Sequence, residues 1–585
     1  MLGVLALIVS DVAQTEIPKY LGEIVDTIED ISAERLWQIL GIVLAYSGAI
    51  LVSRIGWRLS IFYASRKIEA GLRHDLFLKA EKLPVSYYRE NNVGKVMAWF
   101  TTDVETIGEF FGWGTVMLVD AAFLSVIVLI RMILLNPLLT LVAAIPIILI
   151  VIWGALVERF MTKKWDERQK AYDELYDFAQ ENFTGIRVIK AFVKENKEIR
   201  AFAKVAKKNA DVNYSFGKIS VTFDLIIELI IYFVIAIIMG FGGYFVFKSV
   251  QGEPASLLGH EIVLSVGQLI EFTSYFDILI WPMIALGQII TMHSRSKASL
   301  RRITIFLDAP EDIKNPENAV VLKDVKGEVR FEHFNFRYPD ETGEEDHLKD
   351  LTFTIKPGER VGVVGKIGSG KTTLANILLR LYNFQEGSVF VDGVDLMKAD
   401  LTSLREAIAY APQDNFLFSD TISNNIAFSD EEPNMDKVIR AAEFSDIDSN
   451  IQDFPNKYET VSGERGVTLS GGQKQRISLS RAYYKHSPIL LMDDTVSAVD
   501  VKTEENILHN VIEKRAGLTT IVIASRVSTV RHFDKILVMV DGRAEAFGSH
   551  DELMKTSPSY QKMVYLQQLE AEVQEGGKSW TKKKN

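Results

Sequence analysis

Long apolar runs dominate the first half of the chain, whereas short apolar runs between polar turns dominate the second half. A run of about 20 apolar residues can cross the roughly 30 Å hydrocarbon core of a membrane as a helix. Six segments fit this description: Leu2–Tyr20, Leu36–Val52, Trp113–Ile130, Leu138–Val157, Leu225–Phe247 and Ile262–Met292. The pattern predicts six membrane spans. The first is the least regular, because it carries Asp11, and a secretory signal peptide is its alternative interpretation.

The connections between the spans differ in length. Two long ones contain Lys67–Leu83 and Asp166–Phe202, which have the apolar periodicity of helices and can project roughly 30 Å or more beyond a membrane. Lys and Arg accumulate in Glu158–Lys218, whereas Val250–Glu261 contains neither. This bias places the long connections and both chain ends in the cytoplasm.

Several acidic residues fall within or near the predicted spans: Asp120, Asp224, Glu228, Glu271 and Asp277. Charges at membrane depth usually face a cavity or a partner group. One interpretation is therefore a polar cavity that accepts cationic amphiphiles. The other, which we favour for Asp224 and Glu228, is that these two acids lie near the cytoplasmic end of their span and meet water.

Composition narrows the possible functions. The chain has 585 residues, a net charge of −11 and no cysteine, which excludes disulfides, thiolate metal sites and a cysteine nucleophile. The absence of a basic excess argues against nucleic-acid binding. The length predicts more than one domain. We place a membrane domain at 1–307, a linker at 308–326, a soluble strand-and-helix domain at 327–570 and a polar tail at 571–585.

The strongest local motif is the glycine-rich run Gly365–Thr372, which follows an apolar strand and precedes a helical pattern. This context is typical of a P-loop, whose backbone amides and helix N-terminus surround phosphate oxygens. Lys371 is expected to reach the β- and γ-phosphates, and Thr372 to bind Mg²⁺. The predicted ATP-binding residues of this loop are Gly365, Gly368, Ser369, Gly370, Lys371, Thr372 and Thr373.

Two further motifs accompany the P-loop. The apolar run Ile489–Met492 ends in Asp493, which is well placed to hold Mg²⁺ beside a P-loop. Leu469-Ser470-Gly471-Gly472-Gln473 opens a predicted helix and forms a second anion-binding nest. Because one γ-phosphate does not need two such nests, the second nest is predicted to serve a nucleotide held by another chain.

Together these motifs resemble an ABC transporter half-subunit of the exporter type. The resemblance implies an all-α six-helix transmembrane domain fused to an α/β P-loop nucleotide-binding domain, with ATP and Mg²⁺ as cofactors. It also implies that Tyr338 stacks on adenine and that Gln413 is the Q-loop residue that touches Mg²⁺. Ser497–Asp500 is similar to the D-loop. Glu90–Asp103 is similar to the first coupling-helix region, and Glu181–Phe192 is similar to the segment that follows the second coupling helix.

Two positions depart from the family pattern. The family usually has Glu after the Walker B Asp, where it orients the attacking water, but this chain has Asp494. The family also has His in the switch loop, where this chain has Ser525. A carboxylate set back by about 1.5 Å can cost on the order of 100-fold in rate. The resemblance therefore predicts a pocket that binds ATP and hydrolyses it poorly, with Asp494, Ser525 and Gln413 at the catalytic positions.

The intact nest at Ser470, Gly471, Gly472 and Gln473 leads to a prediction about assembly. In the family, each ATP site combines the Walker motifs of one chain with the signature motif of the other. We therefore predict the degenerate-site half of a heterodimer that exports amphipathic, drug-like or lipid-like compounds across a bacterial plasma membrane. The alternatives are a regulatory subunit that gates its partner and a homodimeric lipid flippase.

Overall fold

The structure is a computed structural model that describes residues 1–27, 32–252, 255–257, 260–339, 345–463, 466 and 469–569. It does not describe the side chains of 146–152, 154–159, 255–257 and 260–262. The chain forms two compact units. The first comprises Met1–Phe77 and Val96–Asp308, and the second comprises Leu78–Lys95 and Ala309–Asn585. The tail at 571–585 lies outside the described residues.

Six long helices form the membrane part of the chain, as predicted. We number them 1 to 6: Leu2–Asp26, Ala33–Lys82, Val93–Leu135, Pro137–Thr184, Glu195–Val250 and Val266–Leu307. Helices 2, 4 and 5 each continue well beyond the predicted apolar segment. The long connections are therefore extensions of the membrane helices. A short helix, Ile186–Ala191, joins helices 4 and 5, and a small hairpin of Ala255–Leu257 with His260–Ile262 precedes helix 6.

Among the described residues, helices 2, 3, 5 and 6 are long and apolar enough to cross a membrane. Helix 1 is continuous, but charged residues, including Asp11 and Glu16, interrupt its apolar sequence. The apolar part of helix 4 coincides largely with the side chains that are not described.

Local chemistry explains where several helices begin. Asn136 alone separates helices 3 and 4, and its side-chain oxygen accepts a hydrogen bond from Leu139 N at 2.9 Å, with Pro137 in the first turn. Ser265 and Gln268 form a capping box at the start of helix 6. Helix 3 contains three π-helical segments: Trp99–Asp103, Phe110–Gly114 and Asp120–Leu124.

Helix 6 lies at the centre of the first unit. Its residues Phe272, Tyr275 and Phe276 are almost fully buried and pack against helices 3 and 5. Helices 1 and 6 approach so closely that a Cβ on Gly267 would lie 2.0 Å from the carbonyl oxygen of Gly22. Glycine is required at this crossing because no side chain fits.

The second unit contains two sheets. The larger has six strands in the order Arg543–Gly548, Lys535–Val540, Arg360–Gly365, Thr519–Ala524, Ile489–Asp493 and Ile408–Ala411. All its neighbours are parallel except the first pair, so five strands end at one edge. The smaller, antiparallel sheet has the order Leu348–Ile355, Val329–Phe336, Val389–Val391 and Val394–Asp395. The α/β nucleotide-binding fold expected for this half is confirmed.

Short helices surround these sheets. They are Val85–Glu90, Lys371–Leu378, Leu401–Ala407, Ile422–Ile426, Met435–Phe444, Asp448–Gln452, Gly471–Tyr484, Val501–Lys514, Val527–Val530 and His550–Thr556. The strand Ile489–Asp493 is buried at every position, because helices cover both faces of a parallel sheet.

Two segments of the second unit differ from the domain boundaries drawn from the sequence. Leu78–Lys95, from the connection between helices 2 and 3, packs with the soluble fold, and its helix Val85–Glu90 precedes the segment compared with a coupling helix. Lys79 Nζ lies 2.8 Å from Glu311 Oε1. The segment expected to be a linker is also held in place, because Val320 N donates to Lys398 O at 2.8 Å.

Candidate nucleotide-binding site

The predicted site residues converge at the carboxyl edge of the six-stranded sheet. Strand register pairs Gly365 with Met539 and Asp493 with Ile523. Residues that follow neighbouring parallel strands therefore lie side by side. This register brings the P-loop, the Walker B carboxylate, Asp494 and the switch position Ser525 to one edge.

The loop between Arg360–Gly365 and Lys371–Leu378 has the backbone shape that phosphate binding requires. Gly368 and Gly370 have φ values of 84° and 92°, in the left-handed region that glycine tolerates. Ser369 is buried, and within the described part of the chain its hydroxyl has no hydrogen-bond partner. A buried orphan hydroxyl beside a glycine-rich turn fits a phosphate ligand.

Lys371 is folded onto its own loop. Its Nζ donates to Gly365 O at 2.8 Å and to Lys366 O at 2.9 Å. Burial lowers the pKa of the Lys371 ammonium, and the nearby carboxylates of Asp494 and Asp493 oppose this shift. A bound nucleotide can satisfy the same ammonium with phosphate oxygens, so the position fits the predicted role.

The predicted magnesium ligands Thr372 and Asp493 form a side-chain hydrogen bond with each other. Asp493 is 1% exposed, and among the described residues its Oδ2 has no hydrogen-bond partner. Burial raises the pKa of the Asp493 carboxyl, and the hydrogen bond from Thr372 opposes that rise. An unpaired buried carboxylate oxygen beside a hydroxyl matches the oxygen ligands that Mg²⁺ prefers.

Gln413 lies two residues beyond Ile408–Ala411 and is exposed. Its backbone oxygen accepts a hydrogen bond from Asn415 Nδ2 at 3.1 Å. Its strand is the edge neighbour of the Asp493 strand. Its part in holding Mg²⁺ stays a prediction.

The two residues that depart from the family pattern touch each other. Ser525 Oγ donates to Asp494 Oδ1 at 3.3 Å. Asp494 has a left-handed backbone, with φ of 48°, and its amide donates to Ile523 O at 2.9 Å. The short carboxylate is therefore engaged by the serine hydroxyl at the place where the family has a longer acid and an imidazole.

Gln475 is a site residue that the sequence patterns did not single out. It is 3% exposed, its Nε2 donates to Asp494 O at 2.9 Å, and its Oε1 accepts from Ala498 N at 3.1 Å. Gln475 thus ties the signature helix Gly471–Tyr484 both to Asp494 and to the D-loop. The feature of the sequence that could have identified Gln475 is its position one turn after the start of the signature helix.

The signature motif forms the predicted helix start. Ser470 N donates to Gln473 Oε1 at 2.9 Å, and Gln473 N donates to Ser470 Oγ at 3.3 Å, which is a capping box. Nothing lies within 4 Å of a Cβ built on Gly471, whereas one built on Gly472 would meet Ala498 O at 3.1 Å. The capping box occupies the amides of Ser470 and Gln473, while the helix start still presents its positive dipole end to an anion.

Tyr338, the predicted adenine platform, is held on several sides. Its hydroxyl donates to Thr373 Oγ1 at 2.9 Å, and the edges of His347 and Tyr382 meet its ring. The guanidinium carbon of Arg89 lies 5.0 Å from the ring centroid, within cation–π range. The sequence patterns missed Arg89 because it comes from the distant connection between helices 2 and 3.

Comparison with known proteins agrees with this geometry. The family description "ABC transporter transmembrane region" matches residues 1–283, and "ABC transporter" matches residues 348–497. The chain is similar to the Bacillus subtilis (strain 168) "Probable multidrug resistance ABC transporter ATP-binding/permease protein YheI", with 34% identity over 98% of this chain and 96% of that protein. It is also similar to the Escherichia coli (strain K12) "Multidrug resistance-like ATP-binding protein MdlA", with 33% identity over 97% of this chain and 94% of that protein.

A solved structure extends the likeness to the whole fold. The "Structure of a bacterial Atm1-family ABC exporter with ATP bound" has a TM-score of 0.78 with 25% identity, over 97% of this chain and 98% of that chain. Together with the P-loop, the Walker B carboxylate and the signature helix, these matches show that the chain belongs to the ABC transporter family, as an exporter-type member with its membrane and ATPase regions on one polypeptide.

Proposed function

We propose that this chain is the degenerate-site half of a heterodimeric ABC exporter that moves amphipathic, drug-like compounds out of a bacterial cell through the plasma membrane. The observation that carries the proposal is the contact between Ser525 and Asp494. In this proposal the contact weakens the ATPase pocket of a chain whose signature motif is intact. The names of the two curated relatives, which refer to multidrug resistance, support the choice of substrate class.

In this mechanism the chain's own pocket binds ATP and holds it. The P-loop amides and Lys371 would surround the phosphates, while Thr372 and Asp493 would hold Mg²⁺. A magnesium ion held there would supply positive charge to the phosphate oxygens as negative charge develops. Asp494 is too short and too engaged by Ser525 to aim a water molecule at the γ-phosphorus. ATP therefore remains bound and keeps the nucleotide domains associated.

Productive hydrolysis takes place in the partner's pocket. There, the N-terminus of Gly471–Tyr484 in this chain faces the partner's nucleotide through Ser470 and Gly472. Amide donors and a helix dipole stabilise the negative charge of the in-line transition state. Gln475 links this helix to Asp494, so the two composite sites share one rigid connection.

Apolar side chains around the short helix Ile186–Ala191 support assembly with another polypeptide. Phe183, Val188, Phe192 and Val193 are all more than half exposed in this chain. Clusters of exposed large apolar residues on soluble surfaces mark contact sites. This segment resembles the one that follows the second coupling helix in the family, and a partner's nucleotide domain can dock beside it.

Transport in inverted membrane vesicles tests the export function. Vesicles containing this chain and the half-transporter that co-purifies with it are expected to accumulate a fluorescent amphipathic dye against its gradient only when MgATP is supplied. Vesicles with the Lys371→Ala variant of this chain are the control for the need for nucleotide. A complex that hydrolyses ATP without any dye accumulation would favour the regulatory alternative, and accumulation by this chain alone would favour the homodimeric one.

A further inference from the structure

A cavity of about 220 Å³ lies within the first unit, among helices 1, 2, 3 and 6. The residues in its wall include Asp11, Arg54, Trp57, Asp120 and Trp281. Pockets for whole drug-sized ligands measure roughly 300–1,000 Å³. This cavity is therefore sized for a head group or a small molecule.

Two carboxylates in the wall of this cavity are buried and incompletely paired. Asp11 is 4% exposed and Asp120 is 7% exposed. Trp281 Nε1 donates to Asp120 Oδ2 at 2.8 Å. Within the described residues, Asp11 Oδ2 and Asp120 Oδ1 have no hydrogen-bond partner. A buried carboxylate oxygen without a partner is costly, so two of them in one cavity indicate a place where a cation can bind.

The chemistry of the wall identifies the ligand class. In their ionised forms, Asp11 and Asp120 would place two negative charges opposite the single positive charge of Arg54, so a cation in the cavity would complete the charge balance. The indoles of Trp57 and Trp281 also lie in the wall. Carboxylates with aromatic faces are the combination that binds organic ammonium ions, through charge pairing and cation–π attraction. A bare metal ion would instead favour a denser set of oxygen ligands.

We propose that this cavity binds the ammonium group of an organic cation, with Asp11 and Asp120 as its counter-charges and Trp57 and Trp281 as its aromatic walls. The site is formed by a single chain. As a substrate site it rests on the proposed export function, whereas as a cation site it can be tested without any turnover. The apolar remainder of an amphipathic cation would extend from the cavity along the helices.

Equilibrium binding of radiolabelled phenyltrimethylammonium to the purified full chain in lipid nanodiscs, without nucleotide, tests the site. We expect saturable binding that excess unlabelled phenyltrimethylammonium displaces and that its neutral isostere tert-butylbenzene does not. Asp11→Asn and Asp120→Asn should each weaken binding by about tenfold or more, since each removes a buried counter-charge. Asp224→Asn is the matched control, because Asp224 lies on helix 5, is exposed and does not line the cavity; it should change affinity less than twofold.

Three results would overturn the site: no saturable binding of the probe, equal displacement by tert-butylbenzene, or unchanged affinity in both aspartate variants. The comparison of charged and neutral probes uses the wild-type chain, so it decides the question even if a variant fails to fold. The transport measurement and the binding measurement can refute the proposed export function and the proposed cation site independently of each other. Charge-dependent probe binding without transport would retain the site and refute the exporter, and transport without such binding would do the reverse.

Discussion

Replacing Gly472 by Glu is expected to reduce steady-state ATP hydrolysis of the assembled transporter by about 100-fold or more. The new side chain enters where a Cβ would already meet Ala498 O at 3.1 Å, and it places a carboxylate at the nest that, in the proposed assembly, faces the partner's γ-phosphate. Removing a single well-placed donor to a transition-state oxyanion costs about 10²–10³ in kcat. Phosphate release by the purified complex in lipid measures the effect.

The matched control for Gly472→Glu is Asp494→Asn in the same complex. It should lower turnover only a few-fold if, as proposed, the pocket that it alters contributes little hydrolysis. Photolabelling near Tyr338 measures ATP binding to this chain's own pocket. In both variants this binding should stay within twofold of the wild-type value, which would show that the domain is folded. If Asp494→Asn stops turnover while Gly472→Glu leaves it intact, hydrolysis does not take place mainly in the partner's pocket and the proposed asymmetry is wrong.

Restoring the family residues at positions 494 and 525 should produce the largest increase in ATP hydrolysis by this chain's own pocket. The double variant Asp494→Glu with Ser525→His is expected to raise single-turnover hydrolysis in this chain's pocket by about 100-fold, because the lengthened carboxylate regains reach toward the water. The substitution also removes the hydrogen bond from Ser525 Oγ to Asp494 Oδ1. Rapid-quench measurement with radiolabelled ATP follows the conversion.

The single variants provide the internal control for that gain. Because the two side chains are in contact, their effects should be non-additive, and the double variant should exceed the product of the singles. Asp tolerates the left-handed φ of 48° somewhat better than Glu does, so a slightly lower melting temperature is expected. A double variant as slow as wild type would show that position 494 does not limit hydrolysis.

The nucleotide site was predictable from the sequence wherever one local pattern carried the information. A glycine-rich turn between a strand and a helix identified Lys371 and Thr372, and an apolar strand ending in an acid identified Asp493. These local signals were enough because the carboxyl ends of parallel strands meet at one edge of the sheet. The contact between Asp494 and Ser525 was not predictable, because it depends on the register between the strands Ile489–Asp493 and Thr519–Ala524.

Residues that join distant parts of the chain were missed. Arg89 reaches Tyr338 from a connection almost 250 positions earlier in the sequence, and Gln475 gains its role only through Asp494 and Ala498. The π-helical segments of helix 3 depend on packing and leave no mark on apolar periodicity. Single positions cannot encode such contacts because tertiary packing creates them.

The acidic residues of the membrane half show the same limit. Asp11 stood out only as an irregularity of the first span, and Asp120 as one of several scattered acids. The structure places both in one cavity wall, while Asp224 and Glu228 are exposed. Burial, which separates these two groups, is a property of helix packing.

The most direct measurement is the rate of phosphate release from MgATP by a lipid-reconstituted preparation that contains this polypeptide and no partner. We expect this preparation to bind ATP and to release phosphate at or below about 0.1 s⁻¹, roughly 100-fold under the median enzyme turnover of about 10 s⁻¹. Phosphate release near 10 s⁻¹ from this chain alone would contradict the claim that its own pocket holds ATP without cleaving it efficiently.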